Sequence, residues 1–512
     1  MVDDARCVLP RYTHGHLLRL SLKGYGLVTK KVAVMRRRAI AACLAVLVVE
    51  PVVGPIFATA AVGEQSGGVQ SLGREILKEL IETNTTHSSG NATLAAERMA
   101  ARLVSAGFSK ADVQVVGQAE KKGNLVARYR GNGGRKPILL IAHLDVVEAK
   151  REDWSFDPFV LTEKDGYFYG RGTLDIKGGA ANLVAAFIRL RQERWVPDRD
   201  LILALTADEE GGPDNGIQWL LANRRALIDA EYCLNVDAGG PELRGGQVSA
   251  LDVQAAEKVY ASFTLTAKNA GGHSSMPRKE NAIYRLAAAL QRIAAFDFPL
   301  LTTDITRAYF EHMAPLSGAN ADDMRAVAKQ PPDAAAAARL SGKSAFYNAL
   351  LRTTCVATML QGGHAENALP QTAQATVNCR ILPGVDPASV QETLEKVVAD
   401  KEVVVAPVAA AVPSPSSPLV PEVLAAIETA ARITWPATKG SKGVAIVPYM
   451  ETGATDGLFL RNAGMPVYAT NGIAYDPDDY RAHGKDERIL VKSYNEGLEF
   501  TYQLIKASAS PR

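Results

Sequence analysis

Between about residues 70 and 240 the chain alternates between two hydrophobic patterns. Apolar positions recur at helical spacing in three windows: 70–83, 92–106 and 178–194. Short continuous apolar runs, bounded by Gly, Asp and Pro, lie at 138–142, 201–206 and 232–236. Such runs are typical of strands that are buried on both faces of a sheet. The alternation predicts an α/β fold in which a mostly parallel sheet carries helices on both faces.

The pattern changes at about residue 255 and predicts a separate α+β unit. Its predicted elements are a strand at 262–267, a helix near 281–295, an Ala-rich helical stretch over about 300–352, strands near 354–360 and 372–380, and a helix over 386–399. A segment rich in Ala, Pro and Ser follows at 408–418 and is typical of a linker.

After this linker the α/β pattern returns, so the second unit is predicted to be inserted into the first. The returning elements are a helix at 419–433, a strand at 467–470 and a helix near 491–507. The predicted domain boundaries are 70–254 for the first part of the α/β domain, 255–405 for the inserted unit and 406–512 for the second part.

The first sixty residues have the features of a secretory signal peptide with an upstream extension. Arginines occupy 36–38, an apolar run covers 39–49, and an Ala-x-Ala site lies at 58–60. The apolar run is too short to span a membrane, and a buried N-terminal helix is the alternative. We therefore expect residues 1–60 to be removed, with Met1 or Met35 as the start, and the mature chain to be secreted or periplasmic without a membrane span.

Composition and charge are those of a globular protein and argue against nucleic-acid binding. The chain has 512 residues, 47% of them hydrophobic and 22% charged, with a formal net charge of +2. These values are ordinary for a soluble globular protein, and no basic stripe interleaved with aromatic residues suggests nucleic-acid binding. Of the five cysteines, Cys233, Cys355 and Cys379 lie after the signal segment, too few for a disulfide framework. Cys355 and Cys379 can pair only if their strands are neighbours.

Acidic and imidazole side chains cluster where the predicted strands end. They are His143 and Asp145 after the first strand, Glu209 and Glu210 after the second, Asp237 after the third, Asp175 before the helix at 178, and His483 near the C-terminus. Ligands of open α/β sheets bind at the carboxyl ends of strands, and mixed His and carboxylate sets suit zinc and related metals. Each residue alone could be a helix cap or a surface side chain; the ordered set predicts one site.

The motifs that contain these residues resemble those of the M20 metallopeptidase family, which includes carboxypeptidases, aminoacylase, a desuccinylase and dipeptidases. The resemblance covers roughly residues 70–510. The motifs are AHLDVV (142–147), GRGTLDIKGG (170–179), TADEEGG (206–212), GGHSSMP (271–277), GGHAENALPQTAQATVNCRILPG (362–384) and GATDG (453–457).

The resemblance implies two divalent metal ions, with zinc expected and cobalt or manganese as alternatives. Asp175 would bridge both ions, because the two oxygens of a carboxylate can span metals about 3.5–4 Å apart. His143 and Asp237 would complete one metal site, and Glu210 and His483 the other. The peptide bond after Asp175 is expected to be cis, as in the family.

The resemblance also implies the acid–base chemistry. Asp145 would orient His143 and fix its tautomer. Glu209 would be the general base: it would take a proton from the attacking water and then give it to the leaving nitrogen.

The remaining motifs imply residues that contact the substrate. His273 would stabilise the oxyanion from a lid formed by the inserted unit, either within one chain or from the partner in a homodimer. Arg380 and Asn367 would hold a carboxylate or the backbone of the substrate, and arginine can bind a carboxylate through two parallel hydrogen bonds. Gly453 and Thr455 would line the pocket.

The implied reaction is hydrolysis of an amide bond in a small peptide. Asp at position 237, where other family members have Glu, favours dipeptidases and aminopeptidases within the family. An N-acyl amino-acid deacylase of the same fold is the alternative, and a catalytically inactive binding relative is a third reading.

Overall fold

A computed structural model of the chain describes residues 57–437 and 443–510, with side chains described from residue 67 onward. The basic residues 36–38 and the apolar run 39–49 of the predicted signal peptide lie outside the described residues. Within these ranges no helix combines the length and the apolar character that a membrane span requires.

The described residues form both strands and helices. The strands are β1 Val113–Gly117, β2 Gly123–Tyr129, β3 Arg135–His143, β4 Thr162–Lys164, β5 Tyr167–Tyr169, β6 Arg199–Thr206, β7 Tyr232–Asn235, β8 Gly240–Arg244, β9 Gln247–Glu257, β10 Val259–Lys268, β11 Gly272–His273, β12 Thr354–Gly362, β13 Ala368–Leu369, β14 Thr372–Ile381, β15 Val403–Pro407, β16 Ala445–Glu451, β17 Val467–Ala469 and β18 Arg488–Leu490.

The helices are α1 Phe57–Ile81, α2 Ala92–Ser105, α3 Lys177–Gln192, α4 Gly216–Asn223, α5 Arg225–Ile228, α6 Ala282–Ala294, α7 Asp304–Met313, α8 Ala321–Val327, α9 Ala334–Lys343, α10 Ala345–Leu351, α11 Pro387–Val398, α12 Pro421–Thr434, α13 Gly457–Asn462 and α14 Val491–Ala509. Several begin at side-chain caps that the sequence provides. Asn91 accepts a hydrogen bond from the Leu94 amide at the start of α2, and Thr303 forms a capping box with Thr306 in α7.

The large sheet is mixed, with a parallel centre. Its order is β1-β2-β6-β3-β7-β17-β9-β16, and β8 pairs with β9. Strand β3 runs parallel to β6 and β7, β7 runs parallel to β17, and β9 runs parallel to β16. The three apolar runs predicted as buried parallel strands are therefore confirmed, whereas β1, β2 and β8 pair antiparallel with their neighbours.

Both faces of this sheet are covered by helices, which explains why the central strands are continuously apolar. In β3, Ile138 and Leu140 are buried in the same cluster as residues of α1, α3 and α14. Leu139 and Ile141 point to the opposite face and are buried with residues of α4 and α5. Because successive strand residues face opposite sides, a strand covered on both sides needs apolar residues at every position.

A second sheet forms the smaller body of the chain. Its order is β12-β14-β10-β15, and together with α6 and α11 it has a separate apolar core that includes Phe263, Leu286 and Leu394. We refer to this body as the four-stranded unit. It matches the predicted strands and helices of the segment 255–405 on either side of the helical stretch.

The helical stretch within that segment packs elsewhere. Residues of α7 to α10, including Ile305, Phe310 and Leu340, are buried in the core of the large sheet, together with Val447 of β16. The segment predicted as one inserted unit is thus divided between two cores. Sequence pattern assigns these helices correctly as helices, but their partners are decided by long-range packing.

Cys355 and Cys379 are register partners on β12 and β14 and form a disulfide. The pairing that the sequence left conditional on neighbouring strands is therefore present. Cys233 is buried and free.

Removing this disulfide is expected to destabilise the four-stranded unit. The bond joins residues separated by 24 positions, and the chain-entropy model gives about 3–4 kcal/mol for a closed loop of that size. A double variant, Cys355→Ser with Cys379→Ser, should unfold at a lower temperature than the wild type, measured by circular dichroism. Reductant should lower the melting temperature of the wild type and leave that of the variant unchanged. If the wild type melts at the same temperature after mass spectrometry shows reduction of the bond, the bond does not stabilise the fold.

Candidate active site

The candidate site lies at the carboxyl edge of the parallel strands. His143 is the last residue of β3, Glu209 and Glu210 follow β6, and Asp237 follows β7. Because these strands are parallel neighbours, their carboxyl ends meet at one edge of the sheet. Asp175 precedes α3, and the Asp175–Ile176 peptide bond is cis, as the family resemblance implied.

Asp175 lies between two histidines, and each oxygen of its carboxylate faces a different ring. The Nε2 atom of His143 is 3.1 Å from Oδ1 of Asp175 and 3.3 Å from Oδ1 of Asp237. The Nε2 atom of His483 is 3.0 Å from Oδ2 of Asp175 and 3.0 Å from Oε1 of Glu210. In each of these two triads, the candidate ligand atoms lie within 4.8 Å of one another. One imidazole nitrogen and two carboxylate oxygens form a donor set that suits a divalent, zinc-like cation.

The electrostatics of the triads favour positive charge between these side chains. Hydrogen bonds with Asp175 and Glu210 raise the pKa of His483 to about 10. Burial would raise the pKa of Asp175, but its contacts with His143 and His483 outweigh burial and lower it. Burial raises the pKa of Asp237 to about 7, against the opposing effect of His143. The carboxylates thus surround a position where a cation is stabilised.

Glu209 is a partly buried carboxylate whose charge interacts with Asp237 and His143 of the first triad and with Glu210 of the second. Burial raises the pKa of Glu209 well above its usual value, and the negative charge of Asp237 raises it further. The preceding residue, Asp208, has φ of +62°, in the left-handed region that non-glycine residues seldom adopt. Strained backbone of this kind often occurs at functional sites, and here it directs the Glu209–Glu210 pair from the end of β6.

Asp145 orients the site by a different route from the one expected. Nδ1 of His143 donates to the backbone carbonyl of Asp145 at 3.0 Å, whereas the Asp145 carboxylate is 3.8 Å from that ring nitrogen. The carboxylate instead accepts the backbone amides of Glu209 and Glu210, at 3.1 and 3.0 Å. The backbone carbonyl fixes the tautomer of His143, and the side chain holds the loop after β6 in place.

Arg171 and Glu487 form a buried pair that sequence reasoning missed. The guanidinium of Arg171 donates to Glu487 at 2.6 Å and to the backbone carbonyls of His483 and Gly484. The Glu487 carboxylate also accepts the amides of Gly172, Leu174 and Asp175. The pair therefore ties the loop that carries His483 to the loop that carries Asp175. Arg171 lies inside the motif 170–179, and Glu487 lies four positions after His483, but no spacing rule connects the two residues.

The variant Glu487→Gln is expected to lower both stability and turnover. The glutamine amide nitrogen would face backbone N–H donors, and breaking a buried ion pair from one side costs about 3–5 kcal/mol. A lower melting temperature and a lower metal content per chain would be measured together. Glu392→Gln is the matched control, because Glu392 pairs with Lys396 on the exposed surface, where one ion pair contributes about 0–1 kcal/mol. Equal melting temperatures for the two variants would contradict the assigned role.

The lid motifs lie together on the four-stranded unit. Strand β11, which carries His273, pairs with β13, and the Ser274 amide donates to the carbonyl of Asn367. The exposed ring of His273 contacts Ser275. The structure therefore brings His273 and Asn367 to each other, and it gives no contact between His273 and the triads among the described residues.

Arg380, Gly453 and Thr455 differ in how closely they match their expected roles. Arg380 lies on β14, where its guanidinium stacks over the ring of Tyr260 at 4.7 Å, and burial lowers its pKa. The amide of Gly453 donates to the carboxylate of Glu451. The hydroxyl of Thr455 donates to buried Glu257 at 3.1 Å, so it is used within the fold instead of lining the pocket.

Asp456, the next residue in the same motif, is a further component of the site. Its buried carboxylate accepts hydrogen bonds from the Thr206 hydroxyl at 3.0 Å and from the Asn215 amide at 2.7 Å. Asp456 thereby links the GATDG segment to the end of β6, three positions before Glu209. The motif GATDG contained this residue, but its partner at Thr206 is visible only in the fold.

Comparisons with known proteins agree with this geometry. The family model described as peptidase family M20/M25/M40 matches residues 139–507, a range that includes all five triad residues. The human N-fatty-acyl-amino acid synthase/hydrolase PM20D1 is 31% identical over 394 residues, which cover 72% of this chain and 74% of the human protein.

Solved structures share the fold at low sequence identity. The M20 family metallo-carboxypeptidase Sso-CP2 from Sulfolobus solfataricus has a TM-score of 0.63 at 18% identity, covering 85% of this chain and 99% of its own. The Bacillus subtilis YXEP protein, a dinuclear metal binding peptidase from the M20 family, has a TM-score of 0.52 at 13% identity, covering 86% of this chain and 98% of its own.

Proposed function

Because the chain belongs to peptidase family M20/M25/M40 and is a hydrolase of the metallopeptidase type, we propose that it cuts the amide bond of small peptides with two divalent metal ions, zinc in the first instance. The observation that carries the proposal is the shared carboxylate of Asp175. Its two oxygens contact His143 and His483 separately, and each contact is completed by one further carboxylate.

In this proposal Asp175 belongs to both metal sites. His143 and Asp237 complete the first, and Glu210 and His483 complete the second. Metal ions bound there would polarise the scissile carbonyl and lower the pKa of a water molecule. The chain supplies the rest of the chemistry.

Glu209 is proposed to move the proton. Its carboxylate accepts a proton from the attacking water, and the resulting acid then gives the proton to the nitrogen that leaves as an amine. The products are a carboxylic acid and an amine, and Glu209 returns to its starting state. The Asp145 carboxylate supports this role because it holds the backbone amide of Glu209.

The four-stranded unit is proposed to act as the lid. Closure would bring His273 to the developing oxyanion and Arg380 to the substrate carboxylate, with Asn367 beside them. The adjacency of His273 and Asn367 supports a common role for the two motifs. Closure within one chain and contribution from the partner in a homodimer are both compatible with this role.

A substrate panel on metal-loaded protein tests the proposed function. Hydrolysis of dipeptides that is abolished by a chelator and restored by zinc, cobalt or manganese is the expected result. Hydrolysis of N-acyl amino acids is the second candidate activity, favoured by the 31% identity to the human N-fatty-acyl-amino acid synthase/hydrolase. Higher kcat/KM for N-acyl amino acids than for every dipeptide would replace the first candidate by the second.

We further propose that the mature enzyme acts outside the cytoplasm. The Cys355–Cys379 disulfide supports this location, because such bonds persist mainly in oxidising compartments. Fractionation of the native source with an antibody against the chain tests this proposal; recovery in the cytoplasmic fraction would oppose it.

A further inference from the structure

A cavity of about 470 Å³ opens beside Asp175 and Asp237. Away from these residues it is lined by three more carboxylates and by aromatic rings. We call it the acidic cavity and define it by Glu242, Asp252, Glu451, Tyr309, Phe346 and Tyr475. Its described lining residues include no lysine, arginine or histidine. Its size falls within the usual range for sites that bind small molecules.

Asp252, on β9, is the carboxylate of the acidic cavity that lacks a partner. In the described part of the chain it has neither a hydrogen bond nor an ion pair. Burial raises its pKa to about 8, the charges of Glu242 and Glu451 add to this effect, and Arg244 opposes it. A carboxylate that is largely withdrawn from water and has no partner is costly, and a cation placed against it would relieve that cost.

The other two carboxylates already have partners of their own. Glu242 forms an ion pair with Arg244 at 2.7 Å. Glu451 accepts the backbone amides of Thr452 and Gly453 at 2.7 and 3.0 Å. These contacts hold both side chains in place beside Asp252. Neither can act as a counter-ion for Asp252, because both are carboxylates.

The aromatic walls suit a cation as well. The rings of Tyr309 and Phe346 contact each other edge to face at 5.8 Å, and Tyr475 contacts Tyr480 at 5.4 Å on another part of the lining. Burial raises the pKa of Tyr309, and the charge of Asp252 raises it further, so its phenol stays neutral. Neutral aromatic faces attract ammonium groups, and this attraction is strongest where water is excluded.

We propose that the acidic cavity binds an ammonium group of the substrate, carried by the residue whose carbonyl is attacked, with Asp252 as its counter-ion. The group is either the free amino terminus or a basic side chain. The proposal rests on the proposed function, which assigns Arg380 to the carboxylate terminus of the substrate. The acidic cavity is then left for the opposite end of the substrate. An aliphatic acyl chain would instead cover the Asp252 carboxylate without giving it a partner.

Three dipeptide substrates, two of them acetylated at the amino terminus, separate these requirements. Norleucyl-alanine has a terminal ammonium, N-acetyl-lysyl-alanine has only a side-chain ammonium, and N-acetyl-norleucyl-alanine has none. The wild-type enzyme should prefer at least one of the two charged substrates. In Asp252→Asn that preference should fall by about 10–100-fold in kcat/KM, the usual effect of losing a hydrogen bond between charged groups. Asp322→Asn, on the exposed surface of α8, is the matched control and should retain the preference.

Two results would overturn the proposal: an unchanged preference in Asp252→Asn, or N-acetyl-norleucyl-alanine as the best substrate of the wild type. If no peptide is cut and only N-acyl amino acids are, the proposed peptidase function fails separately. Butylamine and butanol are then compared as inhibitors of that reaction. Stronger inhibition by butylamine, lost in Asp252→Asn, still supports an ammonium site; equal inhibition by the two rejects it. If the protein cuts nothing, calorimetric titration with butylamine decides, and no binding by the wild type rejects the site.

Discussion

Replacing Glu209 by glutamine is expected to lower the turnover number by about 10²–10⁴-fold, the usual contribution of a general acid–base group. Glutamine keeps the size of the side chain, but its amide cannot accept and return a proton. The backbone amides of residues 209 and 210 would still be held by Asp145, so the loop after β6 should keep its place. Steady-state kinetics and metal analysis on the same preparation measure the two effects.

The control for this prediction is Glu152→Gln, which makes the same chemical change at an exposed position. It should leave kcat, KM and metal content unchanged. Near-normal turnover in Glu209→Gln with full metal content would assign the proton transfer to another group. Loss of metal together with turnover would instead make Glu209 a ligand.

The variant Asp175→Asn is expected to lose more activity than Glu209→Gln, because one substitution weakens both triads. The side chain of asparagine has one oxygen and one NH₂ group, so it cannot offer an oxygen ligand both to the site of His143 and to the site of His483. We expect the metal content to fall to one ion or fewer per chain, and turnover to fall by at least the ~10²–10⁴-fold of a lost acid–base group. Inductively coupled plasma mass spectrometry of the dialysed protein measures the metal content per chain.

Two variants that each affect only one triad are matched controls for the shared role of Asp175. Asp237→Asn should weaken only the triad of His143, and Glu210→Gln only the triad of His483. Each should therefore keep one ion more firmly than Asp175→Asn does. Retention of two ions per chain in Asp175→Asn would show that its carboxylate is not shared.

Local pattern predicted the strands and helices that surround the site with good accuracy. The apolar run 138–142 lies within β3, 201–206 within β6, and 232–236 overlaps β7. These strands could be predicted from the sequence because a strand that is buried on both faces requires an uninterrupted run of apolar residues. The outer strands β1 and β2 carry weaker patterns and were not predicted.

The helical stretch 300–352 shows what the local pattern of apolar residues does not predict, which is the partner against which a helix packs. Its periodicity predicts helices, and helices are present, but the same periodicity would suit packing on either core. In the fold its Ile305 and Phe310 are buried on the large sheet, and Tyr309 and Phe346 reach the acidic cavity. An amphipathic helix specifies which of its faces is buried and not which partner buries it.

Individual side chains of the site show the same limit. The motif containing Asp145 suggests a carboxylate that orients His143, yet the carboxylate holds two backbone amides and the carbonyl orients the ring. Thr455 follows a motif for substrate binding, yet its hydroxyl is bound to Glu257. A hydrogen-bond partner depends on distances of tenths of an ångström, which residue type and spacing do not carry.

The sequence by itself determined which residues could hold metal and at which strand ends they stand, because residue type sets ligand chemistry and parallel strands share one carboxyl edge. The resemblance implied that His483 and Glu210 share a metal site, and the fold brings these residues, 273 positions apart, to within 3.0 Å. Tertiary structure alone decided that Arg171 and Glu487 join the two loops. It also decided that Asp252 faces a cavity and has no hydrogen-bond or ion-pair partner among the described residues. Such contacts depend on the packing of distant segments around a common core, and the free energy of that packing belongs to the assembled fold and to no single stretch of the chain.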